Sequence, residues 1–269
     1  MLRFRPMAVA MIVAACSAYP WIGAQTANST DQAAASEIDP FALSIVQRWV
    51  NCEPDAQCFR LWVTDSMDRE SEWGQRVLYT HRRQVTAVRP NRLRLQTRGE
   101  LTNRDLVYDG SQVTVYDQDR NVYAQVPFSG TNREMIEMLL ERYDMTTPLA
   151  DIIGAGRDSF LEGITSAHRI GQARVSGHTC EHVAITRDDL DWQGWFDVGP
   201  APLLWRLVIT YKNEPGTPQY VLQLENYTRF PSVPESQFVF TPPEGATLIR
   251  FANQPLPRAA TEANADPTP

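Results

Sequence analysis

The sequence predicts an α+β protein: one large curved antiparallel β-sheet with helices packed on one of its faces. The first observation behind this is the stretch 88–127. Apolar and polar residues alternate there and turn residues interrupt them, as in Leu93-Arg94-Leu95, Leu106-Val107-Tyr108-Asp109-Gly110, Val113-Thr114-Val115-Tyr116 and Val122-Tyr123-Ala124-Gln125-Val126-Pro127. Such alternation gives consecutive antiparallel strands, each buried on one side. The second observation is the order of patterns along the chain: a helix, a run of strands, a helical stretch, then strands again. The third is size. Between two low-complexity ends lie about 210 residues, enough for one domain with a sizeable core.

Asp39 and Pro40 open the first helix, Asp39 as its cap and Pro40 in the first turn, where a missing N–H costs nothing. Phe41, Ile45 and Trp49, with Ala42 and Val46 beside them, form its apolar face, and it ends near Asn51. Strands are expected at 59–63, 75–88, 92–97, 104–108, 112–116 and 121–126. Met135, Ile136, Met138, Leu139 and Leu140 then recur at helical spacing within 132–143. Short helical pieces follow at 148–153 and 159–162, separated by Gly154 and Gly156. Strands resume at 166–173, 178–186, 191–196, 205–211 and 219–227, and the last is expected at 238–240.

The ends of the chain carry export and flexibility signals. Arg3 and Arg5 precede an apolar run from Met7 to Ala15 that is too short to span a bilayer, so this is a targeting segment. Two endings fit it. Ile22-Gly23-Ala24 reads as a signal-peptidase site, giving a signal peptide over 1–24. Val13-Ala14-Ala15-Cys16 reads as a lipobox, giving a lipoprotein signal over 1–15 with lipid on Cys16 and an outer-membrane anchor. Either way the protein is exported to the periplasm. Residues 25–38 read as a disordered linker and 253–269 as a Pro- and Ala-rich tail, which leaves 39–252 as the folded domain.

Net charge is −7, and removing Arg3 and Arg5 takes Lys+Arg from 25 to 23 against 32 Asp+Glu. An acidic chain of this kind is a poor partner for nucleic acid. In an oxidising compartment Cys52 and Cys58, flanking a turn-prone loop, are expected to pair, for about 2 kcal/mol of entropic stabilisation. Pairing of either with Cys180 stays open. Gly-x-Ser-x-Gly, His-Glu-x-x-His and phosphate-loop motifs are absent from the sequence, so neither catalysis nor a cofactor is expected.

Several of these pieces resemble the LolA/LolB-like family of bacterial lipoprotein carriers: Arg89-Pro90-Asn91 opening a strand, Asp109-Gly110 before a Val-x-Val-Tyr strand, and the closing Phe238-Val239-Phe240-Thr241-Pro242-Pro243-Glu244-Gly245. A fuller match, over about residues 38–249, is to a family of predicted periplasmic proteins of unknown function that shares that fold. It rests on Tyr123-Ala124-x-Val126-Pro127, Pro148-Leu149-Ala150-Asp151, Cys180-x-His182, Asp191-Trp192-Gln193, Leu207-Val208-Ile209-Thr210-Tyr211-Lys212 and Glu214-Pro215-Gly216-x-Pro218-Gln219-Tyr220. The resemblance implies an unclosed half-barrel, a LolA-like sheet whose concave face is capped by helices around an apolar cavity for acyl chains. It also implies that Arg89 latches the lid helices by hydrogen bonding. The Cys52–Cys58 loop and the Trp-rich strand at 191–196 depart from the carriers.

The candidate cavity and lid residues are therefore Arg89, Leu93, Leu95, Val113, Val115, Met135, Met138, Leu139, Trp192 and Trp195. The implied partner is an apolar small molecule, a lipid or an acylated protein. For each the plain alternative is core packing: a self-filled core would make the protein a structural module that docks another envelope protein. His178, Cys180 and His182 alternate along one strand and are weak metal or thiol candidates, because imidazole and thiolate suit zinc or copper. They lack an evident fourth ligand, and buried structural Cys and His is the plainer reading.

Overall fold

The computed structural model describes residues 38–52, 56–143, 145 and 157–251. The targeting segment with Cys16, residues 25–37 of the expected linker, the tail 253–269 and the helical piece at 148–153 lie outside the described residues.

Twelve strands among the described residues form one sheet. They are β1 (Cys58–Glu70), β2 (Arg76–Val88), β3 (Arg92–Gly99), β4 (Arg104–Tyr108), β5 (Gln112–Asp117), β6 (Val122–Pro127), β7 (Ile164–Val175), β8 (His178–Arg187), β9 (Leu190–Asp197), β10 (Leu204–Tyr211), β11 (Gln219–Phe230) and β12 (Thr247–Ile249). Their spatial order is β12-β6-β5-β4-β3-β2-β1-β11-β10-β9-β8-β7, so the sheet does not close. Two meanders, β1–β6 and β7–β11, meet where β1 pairs with β11, from Cys58 opposite Phe230 to Met67 opposite Tyr220. The expected half-barrel is thus present.

One face of the sheet is apolar because every second residue is: Leu61 and Val63 on β1, Val85 on β2, Leu93 and Leu95 on β3, Val113 and Val115 on β5. Helices α1 (Pro40–Asn51) and α2 (Asn132–Tyr143) share a single hydrophobic core with this concave face. In α1 the Asp39 carboxylate accepts the Phe41 N–H at 2.8 Å, as a cap should. In α2 Thr131 and Glu134 form a capping box: the Thr131 N–H donates to Glu134 Oε2 at 2.7 Å and the Glu134 N–H to Thr131 Oγ1 at 3.2 Å. Met135, Ile136, Met138 and Leu139 face the core.

Helix α1 sits over β7 and β8, where its Trp49 packs on the edge of Phe160 at 5.1 Å and on Phe196 at 5.4 Å. Phe160 in turn meets Trp192 edge-on at 5.2 Å. Gly194 makes this cluster possible, because a Cβ there would run into the ring of Phe196. Arg157, buried in a 3-10 turn at Arg157–Leu161, donates Nη1 to the carbonyls of Trp49 (3.2 Å) and Cys52 (3.0 Å). Its guanidinium lies 5.1 Å from the Trp49 ring centre. This arginine closes the helix end, where backbone acceptors lack helical partners.

Beyond β11 the chain crosses the convex face. The 3-10 turn Glu235–Phe238 lies over β3, with Arg92 bonded to Glu235 at 2.8 Å and Arg94 Nη1 donating to the Gln237 carbonyl at 3.2 Å. Phe240 packs against Tyr116 and Tyr123, and β12 then adds to the edge of β6.

Several expectations are corrected. The sheet is mixed, since β12 runs parallel to β6. The strand expected at 238–240 is instead the end of the 3-10 turn and an extended link, and β12 follows it at 247–249. Strand β1 runs on to Glu70 rather than ending near Val63, because Asp65 is buried and paired. Phe41 is 51% exposed and lies under Arg169 instead of in the core. The Cys52–Cys58 disulfide is not formed. Cys58 carries a free thiol, buried at the start of β1, whereas Cys52 ends α1 with its N–H on the Trp49 carbonyl.

Trp49→Ala is expected to cost about 3–5 kcal/mol, the range for emptying a buried aromatic site. Arg157→Ala is expected to cost about 1.5–3 kcal/mol, for charged hydrogen bonds to helix-end carbonyls. Urea unfolding of each variant measures both.

Candidate functional site

The concave face is not uniformly apolar. Asp65 on β1 stands opposite His81 on β2; Val63 stands opposite Arg83, and Arg83 opposite Thr97 on β3. Paired residues share a face, so four polar side chains line up among the leucines and valines. All four are buried. The Asp65 carboxylate accepts both Nε and Nη2 of Arg83, the second at 3.0 Å, and Arg83 Nη1 donates to Thr97 Oγ1 at 2.8 Å.

His81 is the incomplete member. It is 8% exposed, and neither ring nitrogen has a hydrogen-bond partner. Asp65 Oδ2 is 3.6 Å from Nδ1, too long for a bond. Burial first, and the Arg83 charge second, push the His81 pKa below its usual 6.5, against the opposing pull of Asp65 and Glu100. The ring is therefore neutral at pH 7. Gly99 lies opposite it on β3, and a Cβ there would strike both His81 Cδ2 and the Thr80 carbonyl.

His81, Arg83 and Thr97 face a pocket of ≈210 Å³. Leu95, Leu101, Leu106 and Met145 give it apolar walls, and Arg69, His81, Arg83 and Arg104 give it a basic side. Arg104 reaches Asp117 at 3.7 Å, but its Nε is buried without a partner. Leu101, at the rim in the β3–β4 turn, is 47% exposed.

Of the ten cavity and lid residues expected from sequence, Leu95 lines this pocket. Leu93, Val113, Val115, Met135, Met138, Leu139 and Trp192 lie in the same buried core. Trp195 stands on the other face, stacked on His182 at 4.0 Å with Arg206 on its ring at 5.1 Å. Arg89 occupies the β2–β3 turn, its N–H on the Gln57 carbonyl and its guanidinium 5.8 Å from the Phe59 ring centre. That turn holds the start of α2: the Asn132 N–H donates to the Pro90 carbonyl at 2.7 Å, and Asn132 Nδ2 reaches the carbonyls of Val88 and Arg92, each at 3.3 Å. Asp65, His81, Arg83 and Arg104 escaped sequence reasoning. The available signal was their phase, since Asp65 continues the inward alternation of Leu61 and Val63.

The His178, Cys180 and His182 set is dispersed by its neighbours. His178 stacks on Trp205 at 3.6 Å, and His182 Nε2 is 3.1 Å from Gln193 Oε1. Cys180 is fully buried, with its thiol pushed up to about 11 by burial and then by Asp197. Among the described residues no group of three or more His, Cys, Asp or Glu is placed to hold a metal ion.

An open, curved sheet with helices packed in its concave face defines the class, an unclosed half-barrel of the architecture that the LolA-like resemblance implies. The chain belongs to the DUF2092 family, described as predicted periplasmic protein, which matches residues 42–252 and places it in the periplasm. No described helix is long and apolar enough to cross a membrane. Among solved structures the chain is similar to an uncharacterized conserved protein from Thermus thermophilus, at 13% identity and TM-score 0.44, covering 78% of this chain and 99% of that one. It is similar also to LprF from Mycobacterium bovis, at 12% identity and TM-score 0.43, covering 73% and 97%. A LolA superfamily protein from Nitrosomonas europaea stands at 10% identity and TM-score 0.37, covering 74% and 97%. Among curated protein sequences none is similar to this chain.

Two measurements check the site. His81 and His182 both have lowered pKa values, His182 chiefly through burial. The unfolded chain therefore binds more protons than the folded one just below pH 6.5, so their contribution is full above that pH and is lost as pH falls. The melting temperature should drop from pH 7.5 to 5.5, and the drop should shrink in the His81→Asn, His182→Asn double variant. Cys180 should resist alkylation at pH 8 in the native protein and react once the protein is denatured, as read by peptide mass mapping.

Proposed function

We propose that the protein is a non-catalytic periplasmic binding protein that holds the acyl part of a lipid, an acylated protein or a similar apolar molecule between the concave sheet and the helices. It is exported by its N-terminal signal and is either soluble or held by lipid on Cys16. The observation that carries this reading is the pocket on the concave side of β1–β4, with apolar walls of Leu95, Leu101, Leu106 and Met145. Each square ångström of ligand chain removed from water there contributes about 25 cal/mol. The ion pair beside the pocket supports the reading too. A buried pair such as Asp65–Arg83 is seldom worth more to stability than well-packed apolar side chains of the same size. Its place on an apolar face therefore favours a role in binding. In this reading the 88–92 turn sets the position of α2 over the sheet, and Arg89 is the latch of that lid.

A second reading, a structural module that docks an envelope protein, is favoured by the other half of the concave face. Trp49, Phe160, Trp192 and Phe196 fill it with the protein's own rings. Titration decides between the two. Delipidated protein should take up a fluorescent fatty acid with one-site saturation. Leu106→Trp, which fills the pocket, should weaken uptake at least tenfold, and Arg89→Leu should change the rate of uptake or release. Folded protein that takes up no probe would leave the docking module standing.

A further inference from the structure

The pocket's wall holds more than apolar surface. Every ionisable group lining it is basic: Arg69, His81, Arg83 and Arg104. Composition does not explain this, because the whole chain carries a net charge of −7. Nor is the charge fully met by nearby carboxylates. Asp65 satisfies Arg83 from behind, and Asp117 stands at 3.7 Å from one Nη of Arg104. Glu100, which also acts on His81, is engaged with the Thr80 N–H at 2.5 Å. What remains is Arg69, which makes no ion pair among the described residues, the buried unpartnered Nε of Arg104, and the two unpartnered nitrogens of a His81 ring that is more than nine-tenths buried.

Buried donors without acceptors are costly, about 1–3 kcal/mol each, and the cost disappears when a ligand oxygen arrives. Building on the binding reading above, we infer that this pocket recognises an ionised head group, a carboxylate or phosphate at the end of a single acyl chain, received by Arg69, Arg104 and the His81 ring. The volume fits a head rather than a whole lipid: ≈210 Å³ lies below the range of about 300–1,000 Å³ typical of pockets that enclose an entire drug-sized ligand. The chain then leaves along Leu101 and Met145, with the exposed Leu101 marking the exit. A neutral imidazole has one N–H to give such a head, and guanidinium groups bind carboxylates and phosphates through several donors at once.

Calorimetric titration of the delipidated full-length protein with dodecanoate, dodecyl phosphate and dodecanol tests this, since the three share one chain and differ only in the head. At least one of the anions should bind ten times or more tighter than the alcohol, and the order of the two anions tells carboxylate from phosphate. The ratio of anion to alcohol affinity should fall toward one in Arg104→Gln and in Arg69→Gln. The second variant lies at an exposed strand end and does not endanger folding. Arg206→Gln, on the convex face, should keep the ratio. The His81 ring nitrogen resonances should shift with the anions and not with dodecanol. Equal affinity for dodecanol and both anions, or an anion preference intact in both pocket variants, overturns the inference while leaving the binding function in place. Failure of all three probes to bind removes the binding function, and the inference with it.

Discussion

The structure depends on one long-range pairing, that of β1 with β11. Residues 58–67 find residues 220–230 across most of the chain, while nearly every other antiparallel contact in the sheet joins strands that are neighbours in sequence. Local hairpins close small loops and cost little entropy, but this pairing closes a loop of most of the domain. Without it the chain would be two meanders, each with one greasy face. With it they become a single curved surface deep enough to take helices on the inside. The bulge between Trp62 and Val63 falls on this seam, where an extra residue bends a strand and increases its twist.

The curved surface is used differently on its two sides. Over β7–β9 it is filled by rings from α1, the Arg157 turn and the sheet, and burial of aromatic area there outweighs any single polar contact. Over β1–β3 the apolar filling of Leu61, Val63, Val85 and Leu93 gives way, farther along the strands, to an ionic set. Burying Asp65 and Arg83 is tolerable because each satisfies the other and Thr97 takes a further donor. His81 is left out of that settlement. The division places packed rings on one side of the sheet and unmet hydrogen-bonding capacity on the other.

Much of this fold is legible in the sequence, and the reasons are physical. Strands β2–β6 show themselves by alternation because each is buried on one side only. Helix α1 shows itself by Asp39-Pro40 and the spacing of Ile45 and Trp49. Strand β12 does not, since Thr247, Leu248 and Ile249 are all exposed and join β6 through backbone alone, which leaves no pattern to read. The pocket was half legible. Leu95 is an apolar residue in an apolar phase, whereas Arg83 and His81 look like solvent-facing residues until the register sets them opposite Val63 and Asp65. Arg157 was not legible at all, because it reaches the carbonyls at the end of α1 across a separation that only the fold closes.

Each border of the sheet receives a short parallel piece from near an end of the described chain: Ile38 bridges Ala167 on β7, and the three residues of β12 lie along β6. Very short border strands are poor templates for pairing with other chains. They also set where a pull on the chain would enter the sheet. A pull from ahead of Ile38 would reach the β7 border first, at the hydrogen bond from the Asp39 N–H to the Ala167 carbonyl. The half that carries the pocket lies beyond β8–β11, so a load entering at Ile38 meets the packed aromatic half of the sheet before it reaches the pocket.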